Sequence, residues 1–453
     1  MKPHKQEGFI RFMVPLVLGN MLNPLNSTML ATALVTICQA FGKEISAGAL
    51  LIIPLYFTSA IGQPLMGRLA DIYSARRVSS AGYALVLISA GIGITATHFN
   101  WLIVSRVLLG LGTSAAYPSS LKLIRERFEA QQQDTPGIAL GIVAVAGQVS
   151  MVMGPFIGGM LTQYFSWQGI FYVNIPLAGG ALLLSAWQGK NKTATSTHQS
   201  TSIAAADFVG IALFSGALAA LLSLLLSTHY WWLKSIALLV LSIAFIRREL
   251  QHPTPFIDIR LFGSNLPMSI TFIRQTGITF VMYIVLYAMP QWVEQTRHIT
   301  PARLGLLMLP QSAAAICMSL LFARSKKVYK LLAIGSGMLA LSTAGLLLLQ
   351  AQSTLTAVVV VSTITGLTLG LLAIANQGAL YQETPAGKTG ISFGLYRTVG
   401  YLGAILSGVA LKVQYKGGAT DTGFHHLAGY ALFSCVLVLL LLIPLYRRPK
   451  HAL

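Results

Sequence analysis

Apolar runs of about 20 residues recur along nearly the whole chain, and each is the length a helix needs to cross the hydrocarbon core of a bilayer. Lipid offers no water to unpaired backbone groups, so such runs must satisfy their own hydrogen bonds as helices. A barrel would instead show alternation in segments of about ten residues. Composition closes the other routes. Hydrophobic residues make up 55% of the 453 residues and charged residues 9%, against roughly 25% charged in a soluble domain. Mean hydropathy is +0.69. A soluble fold lacks its charged surface here, and disorder is excluded by the same composition. The fold class is an all-α integral membrane protein.

Fourteen apolar segments are predicted. Six come first, at 10–34, 46–66, 78–97, 99–121, 137–162 and 168–187. A polar Ser/Thr-rich stretch from Gly189 to Ser202 then reads as a loop. Two shorter segments, 207–227 and 231–246, meet at the turn Ser227–Tyr230. Six more follow at 266–290, 303–323, 329–349, 355–380, 390–411 and 425–446. The expected organisation is an N-terminal six-helix half (1–187), a cytoplasmic linker (188–206), an inserted two-helix hairpin (207–247) and a C-terminal six-helix half (248–453). The first segment is too long for a cleavable signal and reads as a retained span.

The net charge of +19 would suggest a nucleic-acid partner in a soluble protein. In a membrane chain it follows from basic residues collecting in cytoplasmic loops. With the N-terminus inside, most Lys and Arg fall in predicted cytoplasmic segments, among them Arg68, Arg76, Arg77, Lys122, Arg125, Arg127, Arg247, Arg248, Arg324 and Lys327. Trp101, Trp167, Trp231, Trp232 and Trp292 fall at the predicted outer interface, where indoles settle. Both termini are therefore expected in the cytoplasm. Arg106, Arg274 and Arg397 remain inside or near the ends of spans, where an unpaired charge costs several kcal/mol. Cys38, Cys317 and Cys435 lack metal-ligand spacing, so neither a zinc site nor a disulfide framework is expected.

Several motifs lie in order along the chain. The second segment ends in Gly67-Arg68-Leu69-Ala70-Asp71, followed by Ser74 and the pair Arg76-Arg77. An Asp ahead of two arginines suits a latch of charged hydrogen bonds. The fourth segment carries Arg106 ahead of Gly110 and Gly112. The fifth carries Gly147, then Gly154-Pro155 and Gly158-Gly159. Proline kinks that helix and the glycines admit close neighbours. Trp167 to Pro176 opens the sixth. Together these residues resemble the major facilitator superfamily, and the six-two-six grouping resembles its fourteen-helix drug:proton antiporter branch. Pro290-Gln291-Trp292, Gly305 to Pro310 and Arg397 to Gly403 look like that branch's second-half landmarks.

The resemblance implies the major facilitator fold and a secondary transporter that exports small drug-like organic molecules across the cytoplasmic membrane by alternating access. It implies proton antiport, with no cofactor and the proton gradient as energy source. It further implies a monomer in the bilayer, acting on a small-molecule substrate, with no nucleic acid. Gly67, Asp71, Arg76 and Arg77 would form the conformational latch. Gly147, Gly154, Pro155, Gly158 and Gly159 would form the antiporter motif. Arg106, Arg274 and Arg397 would be embedded charges, and Asn26, Tyr56, Gln63 and Gln148 polar groups of the cavity. Two departures stand out: Ser74 replaces the family's turn glycine, and Asn26 stands where many branch members have Asp. No acid falls at the centre of a span, which leaves the proton site unassigned and weakens cation recognition.

Alternatives are a carrier for an anionic metabolite or siderophore, a transporter-like receptor, and a membrane enzyme. An enzyme would need clustered nucleophiles, metal ligands or paired carboxylates within the spans, and none is seen, so none is expected. Gly110 to Ala115 fits a relaxed dinucleotide pattern but has no preceding strand. Ala386-Gly387-Lys388-Thr389 lacks the upstream glycine of a P-loop. His229, His425 and His426 are expected as surface residues.

Overall fold

The computed structural model describes residues 3–129, 137–189, 207–227, 229–253, 255–257, 259, 260, 263, 265–325, 327–385 and 389–443. Most of the predicted linker, from Lys190 to Ala206, lies outside these residues, as do Asp134, Asp258 and the Ala386–Lys388 stretch.

The described residues fold into helices without strands. The first half of the chain holds α1 (Pro3–Met29), α2 (Leu34–Ala40), α3 (Ala49–Ile72), α4 (Ala75–Ile94), α5 (Phe99–Ser114), α6 (Ala116–Glu129), α7 (Gly137–Phe165), α8 (Gly169–Tyr172) and α9 (Asn174–Gly189). A hairpin of α10 (Phe208–Leu226) and α11 (Trp231–Gln251) follows. The second half holds α12 (Leu266–Arg297), α13 (Pro301–Phe322), α14 (Val328–Leu346), α15 (Leu355–Glu383), α16 (Thr389–Gln414) and α17 (Asp421–Leu440).

Twelve helices among the described residues are long and apolar enough to cross a membrane. The chain is a multi-pass membrane protein. The sequence led us to expect fourteen spans, and α11 and α16 account for the difference. Both are helical, but Lys234 and the Arg247-Arg248-Glu249 run dilute the first, and Arg397 among glycines, serine and tyrosines dilutes the second.

Prolines fall inside several spans, including Pro24 in α1, Pro54 and Pro64 in α3 and Pro155 in α7. Each deletes one backbone donor, and neighbouring hydroxyls bond the local carbonyls. Thr28 Oγ1 donates to Pro24 O at 2.8 Å and Thr58 Oγ1 to Pro54 O at 2.8 Å. Thr32 Oγ1 reaches across to Pro155 O at 3.2 Å.

The two halves meet along two seams. In one, α7 packs on α13; in the other, α3 packs on α16. The hairpin lies against the second seam. Ile211 and Phe214 of α10 join one apolar cluster with Ile61 and Leu65 of α3 and with Leu395, Tyr396 and Val399 of α16. Its base is tied by Asp207, which accepts from Gly210 N at 2.9 Å and from Arg248 Nε at 3.1 Å. Glu249 accepts from Ile257 N at 2.9 Å. The hairpin thus bridges both halves.

Candidate functional site

The α7–α13 seam is built on missing side chains. Gly154 and Gly158 face α1, and a Cβ on Gly158 would stand 2.5 Å from Met29 O. Gly159 faces the carbonyl of Pro301 in α13, and a Cβ on Gly305 would stand 2.6 Å from Pro155 O. Gly154 and Gly158 therefore pack α7 within its own half, while Pro155 and Gly159 pack it against the other. Gly147 only touches Pro24 at van der Waals distance.

Deep in the molecule, tyrosines from both halves converge. Tyr56 of α3 lies with its ring 4.8 Å from that of Tyr283 and 5.8 Å from that of Tyr401. Tyr283 and Tyr287, one turn apart on α12, stack at 5.9 Å. Helix α1 stops at Met29, so its last carbonyls lack intrahelical donors. Tyr287 hydroxyl donates to one of them, Ser27 O, at 2.8 Å. Its own oxygen is then free to accept from the Tyr56 hydroxyl, 3.1 Å away. Gln63 Nε2 donates to Tyr401 hydroxyl at 2.6 Å. Arg397 of α16 lies 3.6 Å above the ring of Tyr117 in α6, a further contact between halves. Apart from the Tyr283–Tyr287 stack within α12, each of these links joins the first half to the second.

Arg106 borders the same cluster. It is 1% exposed and sits 5.1 Å from the ring of Phe171. None of its three side-chain nitrogens has a hydrogen-bond partner, and Tyr56 and Tyr287 are close enough to act on its charge. Such a buried guanidinium calls for an anion or an acceptor.

The other two embedded arginines are compensated. Arg274 Nε donates to Asn376 Oδ1 at 3.0 Å and Nη2 donates to Thr271 Oγ1. Thr271 in turn donates to Glu383 Oε2 at 2.6 Å, and Tyr329 hydroxyl donates to Glu383 Oε1 at 2.9 Å. Glu383, at the end of α15, thereby balances Arg274. Arg397 has the Tyr117 ring. Of the three, Arg106 is the one whose side-chain nitrogens are all buried without a hydrogen-bond partner.

Of the predicted cavity groups, Tyr56 and Gln63 join the tyrosine cluster. Asn26 does not. It is locked to Asn174 of α9 by two reciprocal amide bonds, one of them 2.9 Å. Gln148 is exposed on α7 and makes no contact with these tyrosines among the described hydrogen bonds. Tyr283, Tyr287, Tyr401 and Tyr117 were missed in the sequence. The i, i+4 spacing of Tyr283 and Tyr287 on one face was the available signal.

The loop after α3 holds the predicted latch. Asp71 pairs with Lys122 of α6: Lys122 Nζ donates to Asp71 Oδ1 at 2.8 Å and to Ala70 O at 2.9 Å. Among the described residues, the side chains of Arg76 and Arg77 do not reach Asp71. Arg68 Nη2 donates to Pro255 O at 3.3 Å, tying this loop to the segment after the hairpin. Ser74 has φ 146°, a conformation that favours glycine, and its hydroxyl caps α4 by accepting from Arg77 N. Gly67 faces Pro118 at 3.7 Å from its absent Cβ. His425 is half-buried, with Nε2 2.6 Å from Leu349 O, whereas His426 is exposed as expected, with Nδ1 2.9 Å from Gln414 Oε1. No group of three or more metal-ligating side chains occurs among the described residues.

Comparison with known proteins gives a consistent likeness. The sequence pattern of the Major Facilitator Superfamily matches residues 16–408. The chain is 32% identical over 426 residues to the uncharacterized MFS-type transporter YwoD of Bacillus subtilis (strain 168), covering 91% of each chain. It is 27% identical over 315 residues to the multidrug efflux pump SdrM of Staphylococcus aureus (strain N315), covering 68% of this chain and 67% of that one. Among solved structures, a mutant form of the nucleoside transporter NupG superposes with a TM-score of 0.68 at 12% identity, over 95% of this chain and 99% of that chain.

Proposed function

The chain belongs to the major facilitator superfamily, a membrane transporter and not an enzyme, and from that premise we propose that it exports small organic molecules from the cytoplasm by alternating access, driven by the proton gradient. The observation that carries this reading is the aromatic and polar seam: Tyr56, Gln63, Arg106 and Tyr117 of one half face Tyr283, Tyr287, Arg397 and Tyr401 of the other. A substrate seated there would touch both halves at once, as a rocking carrier requires. Aromatic faces accept varied organic skeletons, and the efflux relative at 27% identity supports outward transport.

In this proposal the twelve apolar spans together with α11 and α16 cross the cytoplasmic membrane of a monomer, as in the fourteen-helix drug:proton antiporter branch, and both termini face the cytoplasm. The face carrying Arg68, Arg76, Arg77 and Lys122 is then internal. Arg106, with no hydrogen-bond partner of its own, supports a second reading, a carrier for an anionic metabolite. The test is a panel of accumulation assays in cells lacking other exporters, run at two external pH values. Export of neutral or zwitterionic compounds that strengthens with external acid supports the first reading. Uptake or exchange confined to organic anions supports the second.

A further inference from the structure

At the face opposite the basic loops, a cavity of about 390 Å³ opens on the line where the halves meet. Gln39 of α2 lines it from the first half; Glu294, Gln295 and His298 line it from the second. Glu294 is 9% exposed, and its Oε2 has no hydrogen-bond partner. It also sits in the last turn of α12, where the helix dipole opposes negative charge.

We propose that Glu294 is a proton-binding site that governs closure of this face: the halves close over it when it carries a proton and part when it is ionised. The inference rests on the exporter reading only in taking this face as external. A buried carboxylate without compensating donors is costly as an anion and cheap as an acid. Its cover comes from the first half, through Val35 and Gln39, while the carboxylate belongs to the second. Separation of the halves would wet it and release the proton. Closure would then require protonation from outside. In an exporter, that step returns the emptied carrier inward.

The surroundings leave Glu294 as the responding group. The buried Cys38 thiol of α2 faces it and is pushed up to about 11, chiefly by burial, so it stays neutral. Asp421 of α17 accepts from Trp292 Nε1 at 2.8 Å and Ala351 N at 3.0 Å. Arg297 Nη2 donates to Gln350 O and Ser353 O. Lys43, Glu44 and Arg303 are exposed, and Lys412 of α16 makes no ion pair with Glu294. His298 lies exposed at the rim.

The experiment measures distances between spin labels at Lys43→Cys and Arg303→Cys in the full chain in nanodiscs, with Cys38, Cys317 and Cys435 replaced by Ala. From pH 5.5 to 8.5 the open population should rise, at most about tenfold per pH unit, the limit for one linked proton. Glu294→Gln should stay closed throughout, and His298→Gln should keep the response. A wild-type response retained in Glu294→Gln, or lost only in His298→Gln, overturns the proposal. So does a Glu294-dependent response to sodium at fixed pH with none to pH itself. Substrate counterflow in vesicles separates the two levels. Counterflow retained by Glu294→Gln leaves the transport reading standing, whereas its absence in the wild type strikes that reading instead.

Discussion

The hydroxyl of Tyr56 lies 3.1 Å from that of Tyr287, and Tyr287 in turn donates to Ser27 O, so one short relay ties α3 to α12 and α12 to α1 across the boundary between halves. A net hydrogen bond of this kind contributes about 1 kcal/mol. Tyr56→Phe and Tyr287→Phe should each shift the carrier toward the state open at the face opposite the basic loops, by roughly fivefold in population for about 1 kcal/mol. Because the relay is shared, the double variant should fall short of the sum. Additive effects in the spin-label populations would show that the hydroxyls act separately.

The pairing of Asp71 with Lys122 changes what the loop after α3 is expected to do. Both side chains are partly exposed, so the pair itself contributes about 0–1 kcal/mol to stability. Its effect should appear in transport. Asp71→Asn should cut flux at least tenfold at equal membrane insertion, and Lys122→Gln should do nearly the same. The two together should add little. Unchanged flux in Asp71→Asn would leave the loop as a charge anchor only.

Ser74 occupies a backbone region that essentially only glycine adopts without strain, at φ 146° and ψ 144°. Such strain costs of order 1–3 kcal/mol, while replacing a Ser cap by Gly loses a few tenths. Ser74→Gly should therefore raise the melting temperature in detergent by about 1–3 °C. Ser74→Ala keeps the strain and loses the cap, and should lower it. A lower melting point for Ser74→Gly would contradict this account of the turn.

Gly159 and Gly305 mark where α7 and α13 touch through their backbones. Gly159→Leu should hold the seam apart, reducing flux by tenfold or more with normal expression. Gly147→Ala, which meets only an ordinary contact, should be nearly silent. Equal losses in both variants would mean that the motif acts through helix flexibility rather than contact.

That the chain is all-helical and crosses the membrane many times was readable from apolar length because lipid permits few alternatives, but the expected count of fourteen spans exceeds the twelve helices apolar enough to cross. What a side chain meets across a seam was not readable. Asp71 was expected to turn to Arg76 and Arg77, neighbours in sequence, yet Lys122, fifty-one residues on, holds it. Arg274 looked uncompensated because its balancing acid, Glu383, ends a different helix and works through Thr271. Depth was the clue: both lie toward the same end of the molecule. Asn26 was placed in the cavity by analogy, whereas its amide satisfies itself against Asn174. The tyrosines escaped notice since an aromatic in an apolar helix breaks no hydropathy pattern. Glu294 falls beyond the predicted segment 266–290, where a carboxylate draws no notice, and only the fold shows that α2 covers it.

The central claim is energised export through the seam, and its most direct measurement uses purified protein in sealed liposomes under an imposed proton gradient. The probe is a fluorescent neutral or zwitterionic compound identified in the accumulation panel. The account predicts that the compound accumulates several-fold on the acidic side, that a protonophore abolishes the accumulation, and that Tyr287→Phe with Arg106→Gln slows it markedly. Equilibration to equal concentrations with or without the gradient would contradict it.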